Sequence, residues 1–376
     1  MKRVFFDNAA TTPLDARVID AMLHAMRESN GNPSSIHEEG RKSRAVVEQA
    51  RRTIAEGLNA SIGEIFFTSG GTESNNMALK CAVRDLGVQR ILSTRTEHHC
   101  VLHSLEALQR DAGTEIVYLK QTPEGHTDLD DLENHLRHGT RKTLVSLMHA
   151  NNEVGTLCDI QTVGKLCGQY GALFHSDTVQ TIGFYPLDLG KIPVHFISGS
   201  AHKFHGPKGT GFIYINNENQ IRPFIDGGSQ ERNMRGGTEN VPGIVGMASA
   251  FQLALVERET REQHIRALRD YLSLKLTEAF PDIAFNGDPF GQGHYKILSA
   301  AFPPSPKGDL LLLNLDIAGV AVSGGSACSS GAEAGSHVLD ALKKNSPRKT
   351  LRFSLSHLNT LEEVDYLIEQ LSKIGI

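Results

Sequence analysis

The chain has 376 residues, long for a single core, so two domains are expected. Hydrophobic residues make up 39% and charged residues 22%, and a net charge of −5 with dispersed Lys and Arg argues against a nucleic-acid groove or a membrane-surface protein. Cys81, Cys100, Cys158, Cys167 and Cys328 are irregularly spaced with no Cys-x-x-Cys, which speaks against a disulfide scaffold and against a structural zinc site; no metal is expected.

The opening "MKRVFFDNAATTP" turns polar at Asp7, unlike a signal peptide, and no apolar run is long enough to span a bilayer. A reducing, cytoplasmic setting is expected. From about residue 45 to 215, strand-like and helix-like segments alternate. Val47, Ala50, Ile54 and Leu58 share a helical face. "EIFFTSG", "RILST", "EIVYL", "TLVSLMHA", "ALFHSD", "VHFISGS" and "GTGFIYI" read as strands, and most are separated by helical stretches such as "LDDLENHLR" and "IQTVGKLCGQYG". This pattern predicts an α/β fold: a mostly parallel sheet with helices on both faces and a ligand beyond the carboxyl ends of the strands. "IVGMASAFQLALVERETREQHIRALRDYLSLKLTEAF" predicts one long helix or two joined ones. A small α+β part follows, with strands "ILSAAFP", "VAVSG" and "LRFSLS" and helices "GDLLLLNLDIAG" and "LEEVDYLIEQLSKI". The expected division is a large domain over 14–255 and a small one from 1–13 with 256–376.

Three strand ends carry chemistry. "TSGGTESNN" joins a strand to a helix, so Gly70 and Gly71 admit a close ligand, the first helix amides point outward, and Thr72 adds a hydroxyl: a phosphate cradle, or a plain capped turn. Asp177 in "FHSDTVQT" needs a cationic or hydrogen-bonded partner if buried, or serves as an N-cap. Lys203 in "ISGSAHKFHGPKGTGF" sits among Ser200, His202, His205 and glycines, suited to a nucleophilic amine, or to a surface turn. Cradle, aspartate, lysine is the order expected for pyridoxal 5′-phosphate, with the aspartate on the ring nitrogen and the lysine bearing the cofactor. "SGGSACSSG" sets Cys328 among small residues that predict a mobile loop.

The series "DNAATTP", "GNPSSIH", "FTSGGTESNN", "TEHHCV", "HANNEVGT", "HSDTVQ", "GSAHKFHGPKGTG", "RGGTEN", "SGGSACSSG" and "LRFSLS" resembles the group I cysteine desulfurases of the NifS/IscS type, within the class V aminotransferase family and its fold-type I architecture. The resemblance implies that Lys203 bears pyridoxal 5′-phosphate, that Gly71, Thr72, Ser200 and His202 hold its phosphate, and that Thr238 reaches the phosphate of a neighbouring subunit in a homodimer. It implies Asp177 on the ring nitrogen, Gln180 and Asn152 near the ring oxygen and substrate, and His98 stacked on the ring and moving protons. Arg352 clamps the substrate carboxylate, assisted by Asn32, and Cys328 accepts sulfur. The implied reaction turns L-cysteine into L-alanine, leaves a persulfide on Cys328, and passes the sulfur to an acceptor protein for iron–sulfur cluster assembly or for tRNA or cofactor thiolation.

Blander readings stand beside these roles. His98 and His99 fit the first turn of a helix, Asn151 and Asn152 a strand-ending turn, and Arg352 a cross-sheet ion pair. Cys81, Cys100, Cys158 and Cys167 read as packing residues. Selenocysteine lyase, another class V aminotransferase activity and a non-catalytic scaffold are the rival functions. Thr178 stands where the family commonly has alanine, "SHLNT" follows "RFSL" in place of the commoner Gly/Ser-Arg step, and the chain stops at Ile376 without the longer tail by which IscS-type members meet their scaffold.

Overall fold

A computed structural model describes residues 2–324, 335–342 and 347–375. The chain opens with a short strand, β1 (Val4–Phe5), and two helices, α1 (Ala16–Glu28) and α2 (Glu38–Gly57). Val47, Ala50, Ile54 and Leu58 are all buried, so α2 forms with one apolar stripe turned to the core. The alternating region runs in the expected order: β2 (Ile65–Thr68), α3 (Gly71–Leu86), β3 (Arg90–Ser93), α4 (His99–Ala112), β4 (Glu115–Tyr118), α5 (Leu129–Arg137), β5 (Thr143–Ser146), α6 (Ile160–Gln169), β6 (Leu173–Asp177), β7 (Phe196–Ser200) and β8 (Gly211–Ile215).

These strands form one seven-stranded sheet in the order β2-β8-β7-β6-β5-β3-β4. From β7 to β4 all neighbours are parallel, and β8 is antiparallel to both of its own. A sheet covered on both faces has no wet side, and every residue of β2, β3, β5, β7 and β8 is buried. Because β8 opposes both β2 and β7, those two strands point the same way. The carboxyl ends of β2, β6 and β7, at Thr68, Asp177 and Ser200, therefore reach one edge.

Beyond the sheet, a single turn, α7 (Gln230–Asn233), holds Glu231, Arg232 and Asn233 at φ 45°, 56° and 64°. Three consecutive non-glycine residues in the left-handed region are strained and must be held from outside. Glu231 supplies the hold. Its two carboxylate oxygens accept from Arg51 at 2.7 and 2.9 Å, and one also accepts from the Phe67 N–H at 2.7 Å. Both side chains are buried, so one desolvated pair fixes α2, β2 and α7 together.

Next come two helices rather than one, α8 (Val241–Val256) and α9 (Arg258–Ala279), which meet at Glu257 with φ −97° and ψ 5°. The remaining elements are β9 (Ala284–Asn286), β10 (Ile297–Phe302), α10 (Leu311–Ile317), β11 (Val320–Ala321), α11 (His337–Ala341), β12 (Lys349–Ser354) and α12 (Leu361–Ile374). β10 lies antiparallel between β9 and β12, while β11 pairs in parallel with β1. The start of the chain thus joins its C-terminal strands, and Asp7 bridges to Ser354. No helix among the described residues is long and apolar enough to cross a membrane. Cys328 and its expected loop motion lie outside the described residues.

Candidate active site

The three strand ends open into a cavity of about 320 Å³. At the end of β2, Gly70 caps α3 at φ 151°, within the region that favours glycine. A Cβ on Gly71 would lie 2.5 Å from Val179 Cγ2, so only glycine lets the helix start this close to the segment after β6. The first amides of α3 have no acceptor within the helix and present its positive end. Thr72, Ser200 and His202 also line the cavity. Burial, with Lys203, Lys208 and Lys296 adding to it, pushes the His202 ring down to about 4, and the neutral ring lies 3.1 Å from the Thr11 hydroxyl.

Lys203 ends a 3₁₀ turn that follows β7 directly, and its ammonium donates to the carbonyls of Ala9 and Ala10 at 2.7 and 2.8 Å. The "DNAATTP" segment is fastened beside it. The Thr12 N–H donates to the His202 carbonyl at 2.8 Å, and the Thr12 hydroxyl accepts from the His205 N–H at 2.7 Å. That motif is therefore a shelf for the lysine. Asp177, at the end of β6, accepts from Asn75 Nδ2 at 2.7 Å, from the Val179 N–H at 2.9 Å and from the Ser198 hydroxyl at 3.4 Å. Thr178, where the family commonly has alanine, turns its hydroxyl into the sheet and donates to the Ser198 carbonyl at 2.7 Å, while Val179 lines the cavity.

Gln180 donates to the Ala9 carbonyl at 3.0 Å, while its buried Oε1 has no hydrogen-bond partner among the described residues. Asn151 and Asn152 divide their work. Asn151 closes a turn by accepting from Glu153 and Val154, whereas Asn152 lines the cavity. His98 caps α4 and lines the cavity, so it is both a helix-start residue and a site residue. Burial lowers its pKa; Asp177 opposes the shift, and Lys203 adds to it. Arg352, on β12, is 1% exposed. It donates to Asp7 at 2.7 Å, to the Asn152 carbonyl at 2.8 Å and to the Ser323 hydroxyl at 3.1 Å, yet its buried Nε–H has no acceptor among the described residues. The anticipated cross-sheet pair thus exists, and one donor of the guanidinium is still unmatched.

Two expected residues stay outside the cavity. Asn32 is exposed and accepts from the Ser34 N–H at 2.9 Å, and Thr238 is exposed. Others enter it unannounced. Cys100, expected as packing, lines the cavity, with Asn75 Nδ2 at 3.3 Å and His98 Nδ1 at 3.1 Å from its sulfur. His337, at the start of α11, stacks 4.3 Å from the His99 ring and donates to the Glu97 carbonyl at 2.9 Å. Among the described residues, no group of three or more His, Cys, Asp and Glu side chains is placed to hold a metal ion.

Lys296 was not signalled by any motif. It is fully buried, its amine has no hydrogen-bond partner among the described residues, and it lies 4.0 Å over the Phe184 ring. Burial, reinforced by Lys203 and Arg352, drives its pKa well down. The unfolded chain then holds this proton more tightly than the folded one, so the residue destabilises the fold below the unfolded lysine pKa of about 10.4. Lys296→Met is expected to raise the unfolding free energy near neutral pH by about 1–3 kcal/mol. That gain should shrink as pH rises toward the unfolded value; urea unfolding across pH measures it.

Lysine, aspartate and anion cradle meet at the place where open α/β sheets bind their ligands, and the protein is an α/β enzyme of that class. Residues 4–367 match the family described as Aminotransferase class-V, and the chain belongs to that family. It is 44% identical to the "Cysteine desulfurase IscS" of Dictyoglomus turgidum over 382 residues, covering 100% of this chain and 95% of the relative. Among solved structures, a "NIFS-LIKE PROTEIN" superposes with a TM-score of 0.91 at 38% identity and 99% coverage of both chains. A second, "SspA in complex with cysteine", gives 0.81 at 28% identity, covering 96% of this chain and 100% of that one.

Proposed function

We propose that the protein is a pyridoxal 5′-phosphate-dependent cysteine desulfurase that converts L-cysteine to L-alanine and leaves the sulfur on Cys328 as a persulfide. The observation that carries this reading is one cavity lined by Gly71, Asp177, Lys203 and an arginine with an unmatched buried N–H. The residues fit the cofactor. The glycine start of α3 with Thr72, Ser200 and His202 would hold a phosphate, Asp177 would take a protonated ring nitrogen, and the unmatched Gln180 Oε1 offers an acceptor beside them. When bound, pyridoxal phosphate supplies an electron sink for the bond broken at the substrate α-carbon.

The chain's own groups do the rest. Arg352 Nε and Asn152 orient the substrate carboxylate, with assistance from Asn32. Lys203, once its amine is released, moves the α-proton, and His98 manages a second proton. The Cys328 thiolate attacks the substrate sulfur: one S–S bond forms as the C–S bond breaks, the bonding pair passes to the β-carbon, which takes a proton, and alanine leaves. Residues 14–255 act as the cofactor-binding domain, and 1–13 with 256–376 form the domain that brings Arg352 and Cys328. Exposed Thr238 suits contact with the phosphate of a second subunit, so the working unit is a homodimer. The persulfide passes to an acceptor protein of iron–sulfur assembly or thiolation, in the cytoplasm.

Gly71→Ala is expected to weaken cofactor binding about 10- to 100-fold, because overpacking costs about 1–3 kcal/mol. Absorbance titration of the apoprotein with pyridoxal phosphate reads this directly. For the function itself, alanine formation from L-cysteine is expected without any 2-oxo acid. A strict requirement for a 2-oxo acid would identify an aminotransferase.

A further inference from the structure

Hydrogen-bond direction in the cavity wall follows from donors that have no alternative. A backbone N–H can only donate, and that of Cys100 donates to His98 Nδ1 at 3.2 Å. That nitrogen is therefore unprotonated in the neutral ring. Cys100 Sγ lies 3.1 Å from the same atom, so its S–H donates there as well. Burial, with Asp177 adding to it, pushes the thiol up to about 12, so the proton is present.

The sulfur also has Thr72 and Asn75 as side-chain hydrogen-bond partners, and Asn75 is the one whose direction is fixed. Asn75 Nδ2 donates to the Asp177 carboxylate at 2.7 Å and to Cys100 Sγ at 3.3 Å. With the amide nitrogen placed there, Asn75 Oδ1 must accept from His175 Nε2 at 3.1 Å. His175 Nδ1 then accepts from the Ser146 hydroxyl at 2.9 Å. Burial holds the His175 ring at about 4, so it carries one proton, as the chain requires. Ser146, His175 and Asn75 are fully buried, which removes water as a competing partner.

We propose that Cys100, held by Asn75, is a positioning residue that locks His98 as the neutral ring with its proton on Nε2 and ties that choice to Asp177. Protonating Nδ1 breaks two hydrogen bonds at once, so the ring keeps a proton to give on Nε2 and resists becoming a cation. The charged and titratable groups around His98 are Asp177 on β6, Lys203 after β7, His99 and His103 on α4, and His337 on α11. The role of His98 in turnover rests on the function proposed above; its tautomer does not.

The test uses the holoenzyme with ¹⁵N-labelled histidine, the His98 signals being assigned by their loss in His98→Gln. Near neutral pH, Nδ1 is expected at the unprotonated position and Nε2 at the protonated one. In Cys100→Ala, His98 is expected to titrate about 0.5–1 pH higher, and kcat to fall about 3- to 10-fold with KM unchanged. Cys100→Ser, which keeps a donor, should recover most of both. A protonated Nδ1 in the wild type overturns the proposal, as does a Cys100→Ala enzyme with unaltered His98 titration, or a serine variant indistinguishable from alanine. If cysteine is not turned over at all, the functional reading fails while the NMR spectra still decide the tautomer.

Discussion

Replacing Lys203 with alanine is expected to lower kcat for alanine formation from L-cysteine by about 10³- to 10⁴-fold. The amine is held at the mouth of β7 by two carbonyls of the N-terminal shelf, in the cavity that also holds Asp177 and His98. Alanine removes the group proposed to bear the cofactor and to move the α-proton. Lys203→Arg should fail almost as badly: a guanidinium does not give up its proton in this pH range and is no nucleophile. Compared as apoproteins, both variants should keep their melting temperature close to wild type, because the two carbonyls face a cavity where water can replace the lost donor. Steady-state alanine release and thermal unfolding, measured side by side, separate a chemical loss from a folding one.

The second large effect concerns stability. Arg51→Met is expected to lower the unfolding free energy by about 3–5 kcal/mol, the range for removing one partner of a buried ion pair. The change leaves Glu231 buried without its guanidinium partner, with the Phe67 N–H still donating to it. It also unties the left-handed turn at Glu231–Asn233 from α2. Replacing both partners together, Arg51→Met with Glu231→Gln, should recover part of the loss, since no uncompensated charge then remains. Denaturant unfolding of the three variants measures the coupling. Single-variant losses that simply add up in the double variant would show that the pair itself contributes little.

Much of this arrangement is legible in the sequence because its signals are local. The α5 and α12 boundaries follow from helical periodicity and caps, and α12 starts on a Thr360–Glu363 capping box. Gly70–Gly71, Asp177 and Lys203 each lie at or just beyond the end of a strand, and the strand order of a covered sheet brings them to one edge. What escapes the sequence is what tertiary pairing creates. β1 exists only because it meets β11 from the far end of the chain, and β9, a strand the sequence pattern does not signal, pairs with β10. Cys100 looks like one more small helix residue until α3 places Asn75 beside it. Lys296 opens an apolar stretch and resembles a strand-end charge, yet the fold seals it over Phe184. The break at Glu257 separates two helices whose residues suit one continuous helix equally well.

The central claim is that one cavity moves sulfur from L-cysteine to a single thiol, and a first-turnover count tests it most directly. Reconstituted protein is mixed with L-cysteine in the absence of reductant, and alanine released is compared with persulfide found on the Cys328 peptide. One alanine per Cys328 persulfide, with neither formed in Lys203→Ala, is the predicted result. Cys328→Ala protein that releases alanine at the wild-type rate would contradict it.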